Sequence, residues 1–291
     1  MPLVLENISY SYLSPGIGEI PALRNINLKI NEGDFIGITG HTGSGKSSLI
    51  QIMTGLITPD SGKILLDGMD INDKNYDRGI LRSKTGIVFQ FPEYQFFETT
   101  VEKDLLFGLK YSGLSADEKK ERLIWALNSL GINDEKFLKK NPHSLSGGEK
   151  RLTAIMGALI TRPAFLIFDE PTASLDPVNS GFFIDAVKSL NESGICIIIV
   201  THNIDMLLEN VNRIIVLEEN SLVMDTGDEG ISKYTKLENG FNLNVEKAGA
   251  GNAIRVKNLL SQRGIELKES ITGYSSLLNA LHEHLSGSKN I

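Results

Sequence analysis

Phe35-Ile36-Gly37-Ile38-Thr39-Gly40-His41-Thr42-Gly43-Ser44-Gly45-Lys46-Ser47-Ser48 decides how this chain is to be read. Phe35–Thr39 is an uncharged run of buried-strand length, and it passes directly into a glycine-rich loop followed by a helical start. Gly40–Ser47 fits the pattern G-x-x-x-x-G-K-[ST], in the strand-loop-helix context where that pattern cradles phosphate. Glycines let the backbone fold around an anion with no side chain in the way. Successive N–H groups and the helix N-terminus supply fixed positive potential. Lys46 would pair with the β- and γ-phosphates, and the Ser47 hydroxyl would ligate Mg²⁺. The candidate nucleotide contacts are Gly40, His41, Thr42, Gly43, Ser44, Gly45, Lys46, Ser47 and Ser48.

Outward from this loop, short apolar runs alternate with helix-period stretches, which predicts an α/β fold with a largely parallel central sheet. Ile26, Leu28 and Ile30 alternate as in a half-buried strand, and Lys63–Leu66 and Thr85–Phe89 read as further strands. From about 100 to 162 the pattern is helical, with Leu152, Ile155, Met156, Leu159 and Ile160 on one helix face. Strands then return at Phe165–Phe168, Ile195–Val200 and Arg213–Leu217, with helices at about 178–193 and 204–210 between them. Lys247–Asn252 reads as a joint before two short amphipathic helices, at about 253–263 and 275–285.

Two other stretches carry chemistry. Phe165-Leu166-Ile167-Phe168-Asp169-Glu170 is an apolar strand ending in two carboxylates. Delivered to the phosphate loop, Asp169 would anchor Mg²⁺ through water, and Glu170 would hold and polarise an attacking water as general base. Leu145-Ser146-Gly147-Gly148-Glu149 opens the helix that carries Ile155–Ile160. Ser146 and Glu149 have the spacing of a capping box, but that motif does not explain two glycines in a first turn, where each costs about 1 kcal/mol relative to alanine. Bare backbone there suits a second anion-binding helix end.

Composition narrows the classes further. The chain has 291 residues, 41% of them hydrophobic, enough for one large domain or two modest ones. Its single cysteine, Cys196, forbids an internal disulfide and reads as a small buried hydrophobe. A net charge of −7 argues against a nucleic-acid coat or a polybasic membrane binder. No apolar run approaches the roughly 18–20 residues needed to span a bilayer, and Met1–Glu6 lacks the features of a signal peptide. A cytosolic protein is expected, with any membrane role exerted through a partner.

The order of phosphate loop, Gln90, Leu145-Ser146-Gly147-Gly148, Asp169-Glu170, Ser174-Leu175-Asp176-Pro177 and His202 resembles that of ABC-type (ATP-binding cassette) ATPases, over roughly residues 3–225. The resemblance implies a phosphate-loop NTPase core with an N-terminal antiparallel β subdomain, a helical insertion (about 95–162) and a short helical C-terminal tail. Residues 1–230 would be the ATPase domain and 231–291 the extension. It also implies a head-to-tail dimer, with ATP held between one subunit's phosphate loop and the other's Ser146, Gly147 and Gly148. Tyr12 resembles the aromatic that stacks on adenine, with Tyr10 the competing candidate. Gln90 resembles the glutamine that senses Mg²⁺ and the attacking water, Asp176 the aspartate that communicates across the dimer, and His202 the switch histidine that touches the γ-phosphate. Glu149 stands where many cassettes have glutamine; a carboxylate pointing inward there would repel a triphosphate, whereas as a capping-box residue it points back to its own helix.

Within that superfamily the chain resembles the ATP-binding subunits of energy-coupling factor (ECF) transporters, which import vitamins and transition-metal ions. His41–Lys46, Phe89–Glu98 and the tail segments Gly264-Ile265 and Ser275–Leu278 carry the likeness. It implies an ATP-hydrolysing subunit peripheral on the cytoplasmic face of the cell membrane, paired with a second, identical or paralogous, cassette. That pair would engage integral membrane subunits through coupling helices near Phe91, Tyr94, Phe96 and Phe97. The same aromatics could instead pack the junction of the helical insertion. The alternative functions are a nucleotide-gated cassette that barely hydrolyses ATP and a soluble, non-transport ABC ATPase acting on DNA or ribosomes. Against the latter stand the acidic balance and the lack of a sustained heptad run, so no nucleic-acid partner is expected.

Overall fold

The strands Phe165–Phe168 and Ile197–Val200 contain no polar residue because both faces of their sheet are covered. In the computed structural model, which describes residues 2–91, 94–132, 135–173, 175 and 177–227, two sheets share the strands. Numbered along the chain, β1 (Leu3–Ser14), β2 (Gly18–Ile30), β4 (Ser61–Leu66) and β5 (Met69–Asp70) form an antiparallel sheet in the order β2-β1-β4-β5. The second sheet contains β3 (Phe35–Thr39), β6 (Thr85–Val88), β7 (Phe165–Asp169), β8 (Cys196–Val200), β9 (Arg213–Glu218) and β10 (Ser221–Asp225). Its order is β10-β9-β3-β8-β7-β6, parallel throughout except for the β9–β10 hairpin.

Side chains alternate across this second sheet and divide the interior in two. Leu166, Phe168, Ile197 and Ile199 face one core, which they share with α3 (Val101–Phe107), α4 (Ala116–Ser129), α5 (Gly147–Leu159) and α6 (Pro177–Glu192). Phe168 meets Phe183 of α6 edge to face at 5.2 Å. Phe165, Ile167, Ile198 and Val200 face the other core, against α1 (Lys46–Met53), Leu81 of α2 (Arg78–Lys84) and the buried residues of β1, β2 and β4. Burying each such side chain contributes roughly 1.5–3 kcal/mol, so a continuous apolar run is what a strand covered on both faces demands. Cys196 belongs to the second core, fully buried, and burial pushes its thiol pKa far up.

The helices between β6 and β7 include two 3₁₀ turns, Glu135–Lys139 and Pro142–Ser144. In α5 the buried face is made by Ile155, Met156 and Leu159, with Ile160 just beyond, as the spacing predicts. Leu152, expected on that face, is only half-buried, and Arg151 and Thr153 are buried instead. Strand limits shift by a residue or so: β6 stops at Val88, and β8 starts at Cys196, just after Ile195, whose N–H donates to the Leu190 carbonyl at 3.3 Å and whose carbonyl accepts the Asn191 side chain at 3.0 Å. The extension 231–291, with its two expected helices, lies outside the described residues.

Candidate nucleotide-binding site

Every parallel strand of the second sheet delivers its carboxyl end to the same edge, where α/β sheets bind ligands. The loop Gly40–Gly45 leaves β3 there and runs into α1. Glycine is required at both of its ends. Gly40 has φ 149°, and a Cβ on it would lie 2.1 Å from the Leu217 carbonyl oxygen; Gly45 has φ 100°, and a Cβ on it would lie 2.3 Å from that of Ala22. The first turn of α1 carries no acidic residue and no side-chain cap, so its N–H groups are left for an anion. The Ser44 hydroxyl, buried against Gly40, has no hydrogen-bond partner among the described residues. Lys46 spans the loop, its Nζ donating to the carbonyls of Gly40 (2.8 Å) and His41 (2.9 Å). Burial pushes the Lys46 pKa down while Glu170 and Asp169 pull it up, so a lysine and two carboxylates share one electrostatic neighbourhood. Ser47 is exposed on the first turn of α1, and Ser48 is buried beside it.

Asp169 ends β7, opposite Val200 of β8. Burial first, then the charge of Glu170, raises its pKa, against the pull of Lys46. Glu170 follows with φ 47°, a left-handed conformation rare for a residue with a side chain. Its N–H donates to the Val200 carbonyl at 2.8 Å, which turns the chain at the end of the strand. Both carboxylate oxygens are engaged: Oε1 with His202 Nδ1 at 2.9 Å and Oε2 with the Thr201 hydroxyl at 3.0 Å. A carboxylate oxygen accepts, so Nδ1 of His202 carries the proton and Nε2 is turned away from Glu170. The Glu170 side chain is 17% exposed and that of His202 74%, so the pair presents its histidine end outward. Gln90 lies two residues beyond Val88, which pairs in parallel with Phe168, and so leaves the sheet at the same edge as Asp169.

Tyr12 and the competing candidate Tyr10 differ in surroundings. Tyr10 packs against the second core, whereas Tyr12 is 42% exposed and its hydroxyl lies 3.1 Å from Ser48 Oγ on α1. The two rings meet edge to face at 4.9 Å. The free aromatic face beside the phosphate loop is therefore that of Tyr12.

Ser146 caps α5. Its hydroxyl accepts the Glu149 N–H at 3.3 Å, and Glu149 Oε2 accepts the Ser146 N–H at 2.9 Å. Glu149 turns back to its own helix, as the capping-box spacing requires. No pattern in the chain points to Lys140, whose Nζ lies 2.6 Å from Glu149 Oε1; its hydrogen bond and that of the Ser146 N–H hold the Glu149 pKa down to about 2. A Cβ on Gly147 or Gly148 would meet nothing within 4 Å, so the backbone of this turn is open. Thr201 was also unread: a threonine beside a histidine after a strand has no distinguishing pattern. Asp176 lies outside the described residues.

Among known proteins, the family model described as ABC transporter matches residues 23–173. The chain is 38% identical, over the full length of both chains, to the energy-coupling factor transporter ATP-binding protein EcfA2 of Caldanaerobacter subterraneus. It is 41% identical to the protein of the same name from Clostridium tetani, over 77% of this chain and 78% of that one. The structure of cbiO1 from Clostridium perfringens, part of the ABC transporter complex cbiONQ, superposes with TM-score 0.70 at 33% identity, covering 90% of this chain and 96% of that one. The cassette MJ0796 in a dimeric post-hydrolysis state, bound to ADP and Pi, superposes with TM-score 0.67 at 32% identity, covering 77% of this chain and 97% of that one. The chain belongs to the ABC transporter family of ATP-binding cassettes, among the ATP-binding proteins of energy-coupling factor transporters.

Proposed function

We infer that the chain is the ATP-hydrolysing motor subunit of an energy-coupling factor importer, and that it drives uptake of a micronutrient, a vitamin or a transition-metal ion. The observation that carries the hydrolytic role is Glu170, held by Thr201 and His202 in the same electrostatic neighbourhood as the phosphate-loop lysine. ATP's triphosphate would occupy the loop and the open first turn of α1. Lys46 would then exchange its bonds to the Gly40 and His41 carbonyls for phosphate oxygens, and adenine would stack on Tyr12. The donor set also fits Mg²⁺: Ser47, Asp169 and Gln90 present hydroxyl, carboxylate and amide oxygens at one sheet edge, the hard ligands this ion prefers. Bound there, the ion neutralises charge on the phosphate oxygens.

The chain's own groups perform the remaining steps. Glu170 takes a proton from the attacking water, and a doubly protonated His202, oriented through its Nδ1–H, would donate its Nε2–H to a γ-phosphate oxygen. The α5 start of a second cassette, identical or paralogous, closes the site with its Ser146, Gly147 and Gly148, and Asp176 communicates across that junction. Electrostatic positioning of this kind supplies most of the catalysis in phosphoryl transfer. As an ATP-binding subunit of such an importer, the chain would work at the cytoplasmic face of the membrane as a peripheral component; no helix among the described residues is long and apolar enough to cross a membrane. Exposed aromatics Phe91, Tyr94 and Phe97, with Phe107 against Phe97, offer the surface for the membrane subunits' coupling helices.

Phosphate release from the assembled complex tests the reading. Lys46→Ala should abolish ATP binding. Glu170→Gln should retain binding and lower turnover by at least about 100-fold. A Glu170→Gln complex that turns over at the unmodified rate would refute the catalytic assignment.

A further inference from the structure

We propose that Thr201 is a positioning residue for hydrolysis, locking the rotation of the Glu170 carboxylate so that one oxygen is committed to the protein and the other to the reacting side. The proposal rests on the reading of Glu170 as the general base.

Thr201 is 1% exposed, at the end of β8. Its backbone N–H donates to the Ile38 carbonyl of β3 at 3.0 Å, so the strand that feeds the phosphate loop also fixes the height of this threonine. The hydroxyl is committed in both directions. It accepts the Asn203 N–H at 3.1 Å, and it lies 3.0 Å from Glu170 Oε2, which can only accept. Because Oε2 only accepts, the hydroxyl hydrogen is given to the carboxylate, and a lone pair of the same oxygen receives the Asn203 N–H. Asn203 is itself held as the cap of α7 (Ile204–Asn210), its side chain accepting the Met206 N–H at 3.2 Å.

Glu170 needs such an anchor. Its backbone is fixed at φ 47° by the bond to Val200, yet the last torsion of a glutamate is broad and two-fold, so backbone placement alone does not aim the carboxylate. His202 is a poor anchor for the purpose, because its side chain is largely exposed and it has its own part to play toward the γ-phosphate. The buried hydroxyl on Oε2 is a contact that does not depend on His202. Misaiming a catalytic group by about 1 Å can cost on the order of 100-fold in rate.

The test uses the full-length chain assembled with its membrane subunits and second cassette, with ATP as the probe. Thr201→Val keeps the shape and removes the hydroxyl. It should lower kcat by about 10- to 100-fold and leave the KM for ATP within about threefold, and Thr201→Ser should restore most of the rate. In the Glu170→Gln background Thr201→Val should change the residual rate little, because nothing is left to aim. Should the valine chain fail to bind ATP, Thr201→Ala carries the same comparison. The proposal is overturned by unmodified turnover in Thr201→Val or Thr201→Ala beside an inactive Glu170→Gln, or by an equal loss in both backgrounds. Unmodified turnover in Glu170→Gln would instead remove the reading on which it stands.

Discussion

At the level of single residues, the site carries charge at a cost to the fold. The Asp169 pKa is raised, chiefly by burial, so its ionised form is less favourable in the folded chain than in the unfolded one. For an acid the sign is then fixed: the penalty is present above the folded pKa and is relieved as pH falls toward the ordinary value near 3.8. Asp169→Asn should therefore raise Tm at neutral pH, measured without nucleotide or divalent ion, while ATP turnover collapses. A lowered Tm would show that the attraction to Lys46 outweighs desolvation. Tyr12 makes a second test. Base–aromatic stacking is worth roughly 1–3 kcal/mol, so Tyr12→Ala should weaken a fluorescent ATP analogue about 5- to 150-fold, whereas Tyr12→Phe keeps the ring and stays within about threefold. An equal loss from Tyr10→Ala would return the competing tyrosine to contention. The sequence could show Gly40–Ser48, Asp169 and Glu170 because they belong to a strand-loop-helix unit and a strand end. It could not separate Tyr12 from Tyr10, since their difference lies in what packs against each ring and not in the chain around them.

Among the elements, those buried on both faces were the most legible: β3, β8 and β7 as far as Phe168 are short uncharged runs whose residues divide between the two cores. β1 was not legible as a strand. Its pairing with β2 slips between Leu5 and Ile8, between Ile8 and Tyr10 and between Tyr10 and Ser11, and Asn7 and Asn25 sit at positive φ. Each bulge resets the inside-outside alternation on which strand recognition depends. The start of α5 lies between these cases, because the Ser146–Glu149 box was readable and its lysine was not. Lys140 meets Glu149 through the 3₁₀ turn Pro142–Ser144, which no periodicity marks. The Glu149 pKa, lowered to about 2 from 4.5, means that this box stabilises the fold above the unfolded value and is lost as pH falls from about 4.5 toward 2. Lys140→Met should move the Glu149 titration upward, read from the side-chain carboxyl resonance. If the titration stays near 2, the Ser146 N–H alone holds the charge. At neutral pH the same variant would leave the carboxylate with the Ser146 N–H but no cation, beside Gly147 and Gly148, where the proposed dimer would bring the opposing cassette's triphosphate.

For the whole molecule, hydrolysis becomes transport only if motion of the helices between β6 and β7 reaches a membrane subunit, and one surface suits that task. Phe97 and Phe107 meet edge to face at 4.7 Å while remaining 59% and 45% exposed, and Lys110 lies 5.5 Å from the Phe107 ring centroid. An aromatic pair this open is organised but uncovered, as a socket for an apolar helix would be. Its place in the fold supports the same use. Gln90 precedes it at the end of β6, and α3, which carries Phe107, packs on α5, whose first turn is the open Ser146–Gly148 backbone. A shift of α5 against a second cassette would thus be felt at the aromatic pair through one helix contact. No single-chain sequence discloses such a coupling, since on the proposed reading the helix that fills the socket is supplied by another protein. Phe97→Ser with Phe107→Ser should strip the chain from its membrane subunits in detergent-solubilised complexes, measured by co-purification. Because both rings are exposed, Tm should move by no more than about 4 °C, and the Kd for an ATP analogue should hold within about threefold. Full retention on the membrane subunits would place the docking surface elsewhere, and a large fall in Tm would return these rings to a packing role.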